Sequence, residues 1–122
     1  MKKIKNFING EFIGSKELIP KISPSSEKVI SYFPRSLKSD VDLAVKSSIK
    51  AYKNWSNESP VNRGKFLLKL VRLLDENKDK LAKIVSEETG KIRSHALGEV
   101  EGSIQLGHFF SSESMRLYGK TI

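Results

Sequence analysis

The chain has 122 residues, enough for one domain or part of one. Apolar residues make up 38% and charged residues 30%, a balance that fits exposed helices or a piece whose core is completed by something else. Cysteine is absent, which excludes disulfides, thiolate metal sites and a cysteine nucleophile within these residues; the net charge is +8, from 22 Lys and Arg against 14 Asp and Glu.

The basic start, Met1 to Lys5, is followed by no apolar stretch of the kind a secretory signal needs. The first structural signal is Phe7-Ile8-Asn9-Gly10-Glu11-Phe12-Ile13. Asn-Gly between two strand-prone flanks predicts a hairpin with a type I′ turn, because both central residues of that turn need positive φ. A second pair is expected from Leu18 to Ser23 and from Lys28 to Phe33, turning at Pro24-Ser25-Ser26-Glu27 and ending at Pro34. Together the hairpins span residues 4–34. Hairpins this short are not stable alone and need a surface to pack on.

Three helices follow, over about 40–56, 60–89 and 93–117. Ser39 with Asp42 three residues on predicts the N-terminus of the first, as a capping-box-like start with aspartate in place of glutamate. Val41, Val45, Ile49, Tyr52 and Trp55 then share one face, which predicts a core-facing stripe. Ser59-Pro60 predicts the second start, with serine as N-cap and proline at the first helical position. Phe66, Leu67, Leu70, Val71 and Leu74 form its apolar face, Asn77 is a candidate interruption, Leu81, Ala82, Ile84 and Val85 continue the pattern, and Gly90 supplies a left-handed stop. The third helix carries Leu97, Val100 and Ile104, then Phe109 and Phe110, with Gly119 as its expected stop. The order is short strands, then helices, with no strand–helix–strand alternation and no internal repeat.

Few residues suggest chemistry. GxGxxG and Walker A motifs are absent. His95 and His108 are separated by a helical rotation of about 1,300°, some 140° from a shared face, so they are not expected to share a metal. Glu87, Glu88, Glu99 and Glu101 gather around the glycine stop and read as a solvated acidic face with room for one buried ion pair. Gly98 to Gly102 spells GxxxG, but Glu99 and Glu101 lie within it, which is wrong for a membrane dimer and predicts close approach of another backbone instead. No apolar run approaches the roughly 18 residues of a membrane span. The lysines are spread along the chain without a nucleic-acid-binding motif, so neither a membrane nor a nucleic-acid partner is expected. The expected setting is cytoplasmic.

The fragments taken together resemble the N-terminal region of the aldehyde dehydrogenase superfamily. Ile8 to Phe12 resembles the family's INGEW opening. Ser23-Pro24 with Val29-Ile30 and Pro34 resembles its NPATGEVI hairpin. Asp40-Val41-Asp42 with Ala44-Val45, Ala51 and Trp55 resembles the following helix, and Ser59-Pro60 with Arg63-Gly64 and Leu67-Leu68 the next. Leu73-Leu74, Asp79-Leu81-Ala82, the run Glu88-Thr89-Gly90-Lys91 and the closing Tyr118-Gly119-Lys120-Thr121-Ile122 complete the order.

The resemblance implies an α/β parent fold of which this piece is mainly helical, with short N-terminal hairpins. Residues 1–122 would be the N-terminal part of the cofactor-binding domain, without the catalytic and oligomerisation domains. The parent reaction would be oxidation of an aldehyde to an acid with NAD or NADP, through a cysteine nucleophile and hydride transfer. No catalytic, cofactor-binding or metal-binding residue is assigned to this chain, and alone it is expected to be inactive and without cofactor. Its partner would be the remainder of the dehydrogenase chain or a complementary chain, in a homo-oligomeric parent. The helix before Tyr118-Gly119 borders the substrate entrance tunnel in the family, which by register puts Gly98, Gly102 and Gln105 near that entrance; the alternative is that they serve helix packing only. An alternative is a stand-alone helical interaction module that has kept the family's sequence without its activity.

Overall fold

A computed structural model describes residues 2–113, 115–116 and 118–119. Among them are five short strands followed by four helices: β1 (Lys2–Lys3), β2 (Asn6–Ile8), β3 (Glu11–Ile13), β4 (Leu18–Ile22), β5 (Val29–Pro34), α1 (Lys38–Asn57), α2 (Pro60–Glu76), α3 (Lys78–Thr89) and α4 (Arg93–Glu113). They group into two bodies. One holds residues up to Asn57 together with Glu87–Gly90; the other holds Glu58–Ser86 and the residues from Lys91 onward.

In the first body β2 and β3 form the antiparallel hairpin that Asn9-Gly10 predicts, with Phe7 opposite Phe12. Asn9 has φ +54° and Gly10 φ +82°, the two positive values of a type I′ turn. The other sheet has the order β1-β5-β4. β4 and β5 are antiparallel, with a register shift between Lys21 and Ile22. The basic N-terminus adds β1, parallel to β5, with Lys2 beside Ser31 and Lys3 beside Tyr32. Pro20 lies in the middle of β4 and is tolerated there because β4 is an edge strand, where a missing N–H breaks no ladder bond. The turn from β4 to β5 closes through Ser23 N–H to the Lys28 carbonyl (2.9 Å) and Glu27 N–H to the Ser23 carbonyl (2.9 Å). Gly90, at φ +76°, ends α3 as expected and sits against Pro24, whose Cγ would lie 3.1 Å from an added Cβ.

Helix α1 begins earlier than its sequence suggests. The Asp40 and Val41 N–H groups donate to the Leu37 carbonyl, and Asp40 Oδ2 accepts from the Leu37 N–H at 2.7 Å. Leu37 is therefore the cap residue, and Asp40 plays the part assigned to Asp42. Ser39 lies inside the first turn, and Asp42 pairs with Lys38 at 2.7 Å. The apolar stripe is a second correction. None of α1 is buried, and Val41, Val45, Ile49, Tyr52 and Trp55 are all exposed. Ala44 and Ser47 face the β2 hairpin across a groove of about 330 Å³, and Val41 and Val45 border a neighbouring groove against Phe7 and Ile8 while staying exposed.

The core lies in the second body. Val71, Ala82, Ala96, Val100 and Ile104 are buried together, with Leu67, Leu74, Leu81, Val85 and Leu97 packed against them. Ser59 caps α2 by accepting the Asn62 N–H at 3.2 Å, and Pro60 follows at its first position. The single helix expected over 60–89 is broken at Asn77. This residue leaves helical geometry (φ −110°, ψ 11°), and its side-chain amide donates to the Leu73 carbonyl at 2.8 Å. Its own carbonyl then accepts the Leu81 N–H and starts α3. An asparagine that satisfies the backbone locally competes with helix continuation. The last helix, expected to reach 117, runs to Glu113, so Gly119 is not its stop. Ser114, Leu117 and the end of the closing motif, Lys120 to Ile122, lie outside the described residues.

Candidate functional site

Helix α4 presents two opposite faces. Ala96, Val100 and Ile104 recur every four residues and bury one side. Gly98, Gly102 and Gln105 fall within about 60° of one another on the other side, and all three are exposed. A Cβ built on Gly98 or Gly102 would meet nothing within 4 Å. The close backbone approach expected of this glycine pair is therefore not made there. The tight glycine contact of α4 is at Gly107 and is with a side chain: an added Cβ would run into Cγ2 of the fully buried Val71.

Two ion pairs flank the exposed face. Glu99 accepts from Lys91 on one side, and on the other Glu101 lies 3.8 Å from Lys78, which also approaches Asp75 at 3.4 Å. Arg93 and Asp79 form a further pair at 3.0 Å. These carboxylates are about half exposed or more, so the room left for a buried ion pair is not used by Glu99 or Glu101. Such surface pairs hold side chains in place and contribute about 0–1 kcal/mol each.

The same face continues to Phe109, one turn beyond Gln105. The Phe109 ring meets Phe110 edge to face at 5.2 Å, and the Arg116 guanidinium carbon stands 5.9 Å from its centroid. In the sequence Phe109 stands out only as an apolar helix residue. The steps of four, three and four through Gly98, Gly102, Gln105 and Phe109 were the signal that would have joined it to the face.

His95 and His108 are both exposed. Among the described residues no three His, Cys, Asp or Glu side chains come together as metal ligands. No helix among them is long and apolar enough to cross a membrane. This face of α4 therefore carries two glycines, one amide and the Phe109 ring, all exposed.

The profile of the aldehyde dehydrogenase family matches residues 12–122. The chain belongs to the aldehyde dehydrogenase family. The malonate-semialdehyde dehydrogenase of Bacillus cytotoxicus is 38% identical over 126 aligned positions, covering all of this chain and 26% of that enzyme. The chain thus spans about a quarter of the length of the curated relatives it matches. Among solved structures, an NAD-dependent aldehyde dehydrogenase from Sinorhizobium meliloti superposes with a TM-score of 0.92 at 25% identity, over 98% of this chain and 25% of that one. An aldehyde dehydrogenase from Brucella melitensis biovar abortus 2308 gives 0.90 at 30% identity, over 95% and 24%. The fold is that of the aldehyde dehydrogenases, and the part present is four helices with short strands.

The described residues form no dinucleotide-binding fold. A dinucleotide fold needs a parallel sheet with crossover helices and a glycine-rich turn at a helix start. Here the described parallel pairing is limited to two residues of β1, and no GxGxxG stands in the sequence.

Proposed function

We propose that this chain is the N-terminal part of the cofactor-binding domain of an NAD(P)-dependent aldehyde dehydrogenase. The observation that carries the reading is coverage: the whole chain aligns with one quarter of each relative, at 38% identity for the Bacillus cytotoxicus enzyme. The parent oxidises an aldehyde to a carboxylic acid. Its cysteine nucleophile and its NAD or NADP site come from outside these residues, since the sequence has no cysteine and its described residues form no dinucleotide fold. The partner is accordingly the remainder of the dehydrogenase, in the same chain or a complementary one, and the assembled enzyme is a homo-oligomer. The names of the relatives point to a polar aldehyde that carries a carboxylate.

Within that enzyme, Gly98, Gly102 and Gln105 line the substrate entrance. The open space over both glycines supports this role and suits a bulky or polar aldehyde. In the assembled enzyme, Gly102→Leu is expected to lower kcat/KM for large aldehydes more than for small ones. Equal effects on both would remove the residue from the entrance.

The deciding experiment is native mass spectrometry of the protein isolated from its own source, with an aldehyde-dependent NAD reduction assay on the same sample. The chain is expected as part of, or bound to, a larger dehydrogenase polypeptide, with activity only in that species. A free chain or small homo-oligomer without activity would instead support the stand-alone interaction module. Turnover by the purified 122-residue chain would overturn both readings.

A further inference from the structure

We draw no further inference here: the strongest candidate, the exposed apolar face of α1 formed by Val41, Val45, Ile49 and Tyr52 beside the groove that α1 shares with the β2 hairpin, carries nothing because nothing in the structure shows what covers it.

Discussion

Glu27 holds a left-handed backbone, φ +55°, at the close of the β4–β5 turn. In the NPATGEVI pattern that this hairpin resembles, the matching position is glycine. A residue with a Cβ is strained there by roughly 1–2 kcal/mol, whereas glycine is not. Glu27→Gly is expected to stabilise the protein by about 1 kcal/mol, after the added freedom of glycine in the unfolded chain is offset. Urea denaturation checks it, and an unchanged or lower midpoint would refute it. The glycines of α4 separate by the same logic of space. Gly107→Ala drives a methyl into Val71 and is expected to cost about 1–3 kcal/mol. Combining it with Val71→Ala should cost less than the two single changes summed, because the residues share one contact. Gly98→Ala and Gly102→Ala meet open space and are each expected to raise stability by about 0.5–1 kcal/mol through helix propensity.

Among the elements, α2 shows a start that sequence alone specifies. Ser59 and Pro60 need no distant partner to act, and both do what their chemistry dictates. Ser59→Ala is expected to cost about 1 kcal/mol in thermal or chemical unfolding, with Ser59→Asp largely neutral; loss of equal size in both would argue against the cap. The start of α1 is hidden in the sequence because its cap, Leu37, has no capping side chain, whereas Ser39 two residues on has one. The first helical bonds go to the Leu37 carbonyl, and Asp40 serves the Leu37 N–H from within the first turn. Asn77 was legible as a possible interruption, but apolar periodicity resumes at Leu81 and hides the break. Its side-chain bond to the Leu73 carbonyl is what ends α2.

At the scale of the molecule, apolar surface is unevenly covered. The second body buries Val71, Ala82, Ala96, Val100 and Ile104, yet its helix α2 still exposes Phe66, Leu70 and Leu73. Helix α1 buries none of its stripe, with Ile49 68% and Tyr52 67% exposed. Contiguous exposed apolar faces promote association. The isolated chain is therefore expected to show an apparent mass in light scattering that rises with concentration. Ile49→Lys with Val45→Asp should reduce that rise, and a mass independent of concentration in the parent chain would contradict the expectation.

Besides the ordered fragments that mark the family, local sequence specifies what acts over a few residues: the Asn9-Gly10 turn, the Ser59-Pro60 start and the Gly90 stop. Each depends on backbone dihedrals or on hydrogen bonds that close within one turn of chain. Periodicity also marked which helix positions are apolar, but not which of them find a partner. Val71 and Val45 occupy comparable places on amphipathic helices; one is fully buried against α4 and the other is exposed. Gly98, Gly102 and Gly107 are alike in sequence, and only the packing of α4 on α2 makes Gly107 the point of close approach. Burial and contact are properties of pairs of distant segments, so they follow from how the helices pack and not from periodicity within one of them.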